Sequence, residues 1–376
     1  MTTGSIEPPR RPFGSGAPVS LFTLGTMRAL QSPGQLQAVV EAALAKGINH
    51  LETAPAYGPS QRYLGQAIGR LGLAREQLVI TSKVLPNQSL SNAQDQLRQS
   101  LEHLGLERLD NLAVHGLNLP EHLHWALQGA GQDFLSWALE EKLVDQVGFS
   151  SHGSNELILE AIRSGRFSFA SLHLHLFDPA RLPLAEEALA KGLGVMAISP
   201  ADKGGRLFDP PELLRQACAP LEPLQLAYRF LLARGISTLT LGAAEPADLH
   251  WAGLDGSALS AEEQAALDRL SEQRQKRLGA EACGQCRACL PCPQQLPIPE
   301  LLRLRNLAVG HGMESFAKER YGLIGQAGHW FEEVNAAACA QCGDCLPRCP
   351  HELAIPELLA DTHSRLASPP RRRLWG

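Results

Sequence analysis

The sequence predicts a (β/α)8 TIM barrel followed by a smaller, mostly α-helical domain. Three observations carry this. Short apolar runs alternate with stretches of helical periodicity, eight times over, between Leu21 and Gly242, the pattern of a parallel sheet wrapped by helices. No G-x-G-x-x-G follows the first run, so the rival doubly wound sheet lacks its fingerprint. After residue 278 the chain changes character, with eight of its nine cysteines in two tight groups.

Taken in order, strand one is Leu21–Thr26. The first helix has Ser32 as cap, Pro33 at its first position and Gln35 as a capping-box partner. Leu36, Val39, Val40, Ala43 and Leu44 form its apolar stripe and Gly47 stops it. Strand two, Ile48–Ala54, leads through a Pro/Gly loop carrying Tyr57 to a helix that starts near Ser60, with Tyr63, Leu64 and Ile68 on one face. Strand three is Leu78–Val84, and Leu97, Leu101 and Leu104 mark the next helix. Strand four ends at His115 and a helical region runs to Lys142. Strand five (Asp145–Ser150), a helix through Leu157 and Ile162, strand six (Phe169–Phe177), a helix from Leu184 to Leu193 and strand seven (Val195–Ser199) follow. A helix from Leu224 to Ala233 leads to strand eight, Thr238–Gly242. The domain reading is a disordered tail (1–17), the barrel (18–278, with the polar, charged helix Ser260–Leu278 bridging to the next domain), a cysteine domain (279–367) and a tail (368–376) whose Arg run is a solvated end.

Hydrophobic residues at 44% support a large core, and a net charge of −5 gives no reason to expect nucleic acid or an anionic membrane surface. The N-terminus has no apolar run of a signal peptide and no stretch has the length of a membrane span. The expectation is a soluble, cytoplasmic protein. Tight Cys-x-x-Cys runs in such a chain point to metal rather than to disulfides.

Glu52, Tyr57, Lys83 and His115 close three successive strands, at the barrel end where chemistry is done. A phenol of pKa near 10, as at Tyr57, is a reluctant proton donor. An ammonium at Lys83 would lower that pKa, and Glu52 would hold Lys83 charged.

These motifs (LETAPAYG, TSK and LAVHG) resemble those of the aldo/keto reductase family, whose barrel carries an Asp, Tyr, Lys, His tetrad; Glu52 stands where the family usually has Asp. The resemblance implies an NADP- or NAD-dependent oxidoreductase acting on a small aldehyde or ketone, with Tyr57 as the candidate acid for the carbonyl oxygen and His115 polarising the carbonyl. It also implies a nicotinamide site at Thr26, at Ser150 and Ser151 after strand five, at Ser171 on strand six and at Ser199 and Pro200 after strand seven. The segment GAAEPADLHWA, with Gly242, Ala244 and Asp248, resembles the family's pyrophosphate and adenosine loop but offers no base for a 2′-phosphate. On strand six, His173 and His175 should point into the barrel. With no carboxylate placed beside them, they read as hydrogen-bonded interior histidines rather than metal ligands.

Cys283, Cys286, Cys289 and Cys292 form the first cysteine group; Cys339, Cys342, Cys345 and Cys349 form the second. The second has the spacing C-x2-C-x2-C-x3-C-P of bacterial ferredoxins, in which the remote cysteine ligates the other cluster. By that rule two 4Fe–4S clusters take Cys283, Cys286, Cys289 and Cys349, and Cys339, Cys342, Cys345 and Cys292. Zinc knuckles need neither the third cysteine nor the Cys-Pro. CPQQLPIPELL and CPHELAIPELLA are an internal repeat. With a helical link over Phe316–Trp330, the module resembles helical dicluster ferredoxins, and the layout resembles the iron–sulfur subgroup of aldo/keto reductases. Hydride chemistry moves two electrons and a cluster one. The clusters therefore serve electron transfer with a redox partner protein, redox sensing or stability. The alternative is a redox-sensing or electron-transfer nucleotide-binding protein with little turnover.

Overall fold

The computed structural model of the chain describes residues 9–177, 179–201, 206–328 and 331–369. It divides into two compact units: Met1–Leu176, Arg181–Lys203 and Tyr228–Ala258 form the first, and Phe177–Ala180, Gly204–Ala227 and Leu259–Gly376 the second. The second unit thus begins ahead of the boundary at 278 that composition suggests.

The first unit is a closed barrel of eight parallel strands: β1 (Phe22–Gly25), β2 (His50–Glu52), β3 (Val79–Val84), β4 (Leu109–Val114), β5 (Val144–Ser151), β6 (Phe169–His173), β7 (Gly194–Ile198) and β8 (Thr238–Gly242). Neighbours follow chain order, and β8 closes on β1 with Leu239 opposite Phe22 and Gly242 opposite Gly25. Strand β6 ends four residues before the expected Phe177. Its ladder with β7 stops at the His173–Ile198 pair, where Ser199 turns into the left-handed region (φ 54°) and ends the partner strand.

Helices α1 (Pro33–Ala45), α2 (Ser60–Arg70), α3 (Leu90–Leu104), α4 (Pro120–Gln128), α5 (Ala130–Glu140), α6 (Asn155–Arg163) and α7 (Leu182–Ala190) connect the strands. Helices α8 (Glu212–Cys218) and α9 (Pro223–Leu232) follow β7 in the chain. Ser32 caps α1 by accepting from the Gln35 N–H, but Gln35 Oε1 accepts from Gln31 instead of closing a box on Ser32. The helical region expected to reach Lys142 breaks at Gly129, whose backbone is extended (φ −121°, ψ −158°).

Residues 1–8 and 370–376 of the expected tails lie outside the described residues. The rest of the N-terminal tail is ordered against the barrel. Arg10–Arg11 pairs antiparallel with Val19–Ser20, and Arg11 donates to the carbonyls of Ile236, Leu232 and Gly256. Phe13 is fully buried, its ring 5.0 Å from that of Phe169 and 5.4 Å from that of His50. Arg11 and Phe13 together anchor this Pro/Gly-rich polar stretch, a signal that composition hides.

Above Phe13, a layer of polar side chains links strand to strand inside the barrel. Thr23 Oγ1 lies 2.7 Å from both Thr238 Oγ1 and His50 Nδ1. His50 Nε2 lies 2.7 Å from Thr81 Oγ1, which accepts from Asn111 Nδ2, and Gln146 Nε2 donates to Asn111 Oδ1. Pairing these groups makes their burial tolerable. Burial pushes His50 from its ordinary 6.5 down to about 3. The unfolded imidazole takes up a proton that the folded one refuses. The stability contributed is therefore fully present above pH 6.5 and lost as pH falls toward 3, by up to about 1.4 kcal/mol per pH unit. Denaturant titrations between these limits should show that His50→Gln removes this share of the acid slope.

The second unit contains α10 (Ala261–Leu278), α11 (Ile298–His311), α12 (Glu314–Tyr321) and α13 (Ile355–Leu366). Ser260 and Glu263 form a reciprocal capping box on α10. Buried on almost every side, α11 forms the axis of the unit. The expected helix over Phe316–Trp330 closes at Tyr321 and gives way to turns; Trp330 lies outside the described residues. Among the described residues, no helix is long and apolar enough to cross a membrane.

Candidate functional site

Glu52 is the last residue of β2, Lys83 lies near the end of β3, and His115 follows β4 directly. Glu52 and Lys83 are buried, at 3% and 4% exposure. A turn closed by the Tyr57 N–H on the Ala54 carbonyl brings Tyr57 back over the strand ends. There Lys83 Nζ donates to both Glu52 Oε1 and Tyr57 Oη, and Tyr57 Oη donates to Glu52 Oε1 over 3.3 Å. The three groups form a closed triangle. The Tyr57 and His115 rings stand edge to face with centroids 5.8 Å apart. The His115 N–H donates to Val84 O at 2.7 Å, fastening the turn to the end of β3.

Lys83 does pull the Tyr57 pKa down, as the sequence suggests, but it is outweighed. Burial and the Glu52 carboxylate push the phenol up to about 12. Burial alone would lower Lys83; Glu52 and Tyr57 together hold it above the ordinary lysine range. At neutral pH Lys83 is therefore an ammonium and Tyr57 a neutral phenol.

The remaining expected residues surround this centre in different ways. Thr26 Oγ1 donates to the Glu52 carbonyl and lies 2.5 Å from Ser60 Oγ, which in turn lies 2.8 Å from Thr53 Oγ1. These hydroxyls brace the end of β2 from below. Ser150 Oγ accepts from the Gly116 N–H and Ser151 Oγ donates to Leu117 O, so both tie down the turn that carries His115. Ser171, opposite Ser150 in register, is fully buried and its hydroxyl has no hydrogen-bond partner in the structure. That orphan beside Ser150 fits a bound amide, which offers both a donor and an acceptor. Ser199 holds its left-handed turn and Pro200 is buried behind it. Asp248 is already engaged, its Oδ2 accepting from the Ala244 and Glu245 N–H groups. Close to Gly242, a Cβ would come 3.0 Å from Arg28 Cδ, so the stem of Arg28 lies across the end of β8. His173 Nε2 lies 3.0 Å from His152 Nε2, and His175 is buried. No three His, Cys, Asp or Glu converge on a single ion among the described residues.

In the second unit the eight clustered cysteines line two cavities. One is bordered by Cys283, Cys286, Cys289 and Cys349; the other by Cys292, Cys339, Cys342 and Cys345. Ile298 borders both. Three pairs of repeat-related residues share the left-handed conformation: Gln285 with Gln341, Arg287 with Gly343, and Gln295 with Glu352. Non-glycine residues in that region mark built loops. Burial raises the Cys283 and Cys345 thiols and pushes Cys289 to about 11, so metal capture there must release protons. Cys218, in α8, is buried apart from both sets.

Sequence reasoning passed over Asn306 on α11. Its side chain donates to Cys283 O at 2.8 Å and accepts from Cys283 N at 3.3 Å, holding the first cysteine by both backbone groups. A buried Asn in the run LLRLRNLAV was the available signal. Asn306→Ala should cost about 1–3 kcal/mol and empty the first cavity before the second. Chemical denaturation, together with iron content, would check both.

A profile of the aldo/keto reductase family matches residues 22–209, half of the chain. The chain belongs to the aldo/keto reductase family. Residues 282–355 match a 4Fe-4S dicluster domain, so the family's barrel is here joined to a dicluster domain. The barrel resembles the solved aldo-keto reductases of Bacillus halodurans (TM-score 0.58, 18% identity, 69% of this chain and 95% of that one) and Brucella melitensis (0.56, 19%, 69% and 99%), a likeness of fold. An aldo-keto reductase of Mycolicibacterium vanbaalenii is 27% identical over 250 residues, 64% of this chain and 85% of that protein. One from Mycobacterium tuberculosis is 38% identical over 93 residues, which spans 24% of this chain and only 33% of that relative's length.

Proposed function

We propose that the barrel reduces a small aldehyde or ketone with NADH or NADPH, Tyr57 delivering the proton. The observation that carries this reading is the triangle of Tyr57, Lys83 and Glu52 at adjacent strand ends, with His115 against the phenol ring. Ser150 and Ser171 would hold the carboxamide of the nicotinamide, which when bound supplies the hydride for the carbonyl carbon and leaves as the oxidised cofactor. The carbonyl oxygen then takes the Tyr57 proton, giving an alcohol. Lys83 steadies the phenolate left behind until solvent reprotonates it, and His115 donates toward the same oxygen.

In the second unit, Cys283, Cys286, Cys289 and Cys349 would hold one 4Fe–4S cluster, and Cys339, Cys342, Cys345 and Cys292 the other, each passing single electrons. A second reading, a redox-sensing or electron-transfer nucleotide-binding protein with little carbonyl turnover, draws on Ser151, whose hydroxyl donates to Leu117 O instead of to a carboxamide. The test is an anaerobic titration of the cluster-loaded chain with NADPH and then NADH, followed by a panel of aldehydes and ketones. Cofactor oxidation that depends on carbonyl compound supports the reductase. Bleaching of the visible band by cofactor alone, without carbonyl turnover, supports the second reading.

A further inference from the structure

The departure at Glu52 has a structural effect that an aspartate would not produce. Glu52 Oε1 reaches past Lys83 to the phenol itself. We propose that Glu52 is a positioning residue that holds the Tyr57 proton in the resting protein, so that the phenol must leave its own carboxylate before it can serve a carbonyl. This rests on the reading of Tyr57 as the acid.

The direction of each bond follows from what the groups can do. A lysine ammonium only donates and an ionised carboxylate only accepts. Tyr57 Oη therefore accepts from Lys83 and gives its single hydrogen to Glu52, 3.3 Å away. A phenol has no second hydrogen for a substrate oxygen. An aspartate at 52 would end one methylene earlier, roughly 1.5 Å back along a carbon–carbon bond, beyond hydrogen-bond reach of Tyr57. Gly25 on β1 lies beside the carboxylate: a Cβ there would meet Glu52 Oε2 at an ordinary 3.6 Å, and it is Thr240 Cγ2, at 2.7 Å, that a side chain would strike. The charged and titratable groups facing Tyr57 are Glu52 from β2, Lys83 from β3 and His115 from the turn after β4. Of these, the carboxylate favours the protonated phenol, and its pull adds to that of burial.

When a carbonyl binds, the hydroxyl must turn from Glu52 to the substrate oxygen. A hydrogen bond to a buried carboxylate is then given up for one to a neutral oxygen, and part of the stronger bond's energy is added to the barrier. The chain has a slow acid by construction.

The experiment uses the full, cluster-loaded chain with tyrosine carrying carbon-13 at the phenol carbon. Tyr57→Phe assigns the Tyr57 resonance among the four tyrosines. In Glu52→Asp, Tyr57 should titrate at lower pH than in the native chain, and kcat for carbonyl reduction should rise about tenfold, the effect of a strong hydrogen bond no longer broken. KM for the cofactor should not move. Glu52→Gln keeps the length without the charge and covers the case in which the aspartate variant fails to fold; Tyr57 should again titrate lower. An unchanged titration in both variants overturns the proposal, as does a lowered titration accompanied by a falling kcat in Glu52→Asp. If Tyr57→Phe turns over at the native rate, the assignment of Tyr57 as acid falls. The titrations still report the bond to Glu52 in that case.

Discussion

Tyr57→Phe should lower carbonyl reduction by about 10²–10⁴-fold, the usual worth of a positioned general acid, while NADPH or NADH still binds. The substitution removes one oxygen from a site whose other members stay in place. Lys83 keeps Glu52 as its partner, the Phe ring keeps its edge contact with His115, and the hydroxyls of Thr26, Thr53 and Ser60 never touch the phenol oxygen. Quenching of protein fluorescence by the cofactor reads binding, and steady-state oxidation of the cofactor reads turnover. A fall in kcat at constant affinity places the proton on Tyr57. An equal fall in both means that the phenol held the cofactor, and an unchanged rate removes Tyr57 from the chemistry. The native pH profile adds a check with a definite sign. With Tyr57 pushed up to about 12, its acid form persists through neutral pH, so loss of activity by its deprotonation belongs on the strongly alkaline side.

The barrel was legible because short runs rich in apolar residues alternate with stretches of helical periodicity. The register of such a barrel leaves little freedom once eight strands close. The strand-end residues were legible for the same reason: polar groups that end consecutive apolar strands cannot all serve packing. What the sequence did not reveal is how these groups balance. A lysine beside a phenol suggests a lowered pKa, yet burial and the Glu52 carboxylate reverse the sign. Sequence distance also concealed partners that the fold brings across the barrel. Arg28 follows β1, and its stem lies across Gly242 at the end of β8, supplying a cation near a loop that has none of its own. Likewise Asn306 is remote from every cysteine in the chain except through α11, which returns it to Cys283. The polar layer from Thr238 to Gln146 was invisible because each member looks like an ordinary strand residue; only closure of the barrel makes them neighbours.

Cys292→Ser should cost the chain one cluster, and the cluster lost should be that of the second cysteine group. Local reasoning would pair Cys292 with Cys283, Cys286 and Cys289, its neighbours in sequence. The cavities are lined otherwise: Cys292 borders the one with Cys339, Cys342 and Cys345, and Cys349 borders the other. Removing one of four thiolates leaves a cluster with a weak oxygen ligand. Iron per chain should fall from about eight to about four. Double substitution separates the arrangements because residues acting on one object do not add. If the ligands cross, Cys292→Ser with Cys339→Ser should lose no more iron than either alone, whereas Cys292→Ser with Cys283→Ser should lose nearly all of it. If the ligands are local, these two outcomes exchange. Electron paramagnetic resonance of the reduced variants provides the second readout, since the signal surviving in Cys292→Ser should match that of Cys339→Ser and differ from that of Cys349→Ser. Crossed ligands would also make each half of the repeat depend on the other for its fourth thiolate. The cysteine module would then gain both clusters only as one folded piece, with Ile298 packed between them.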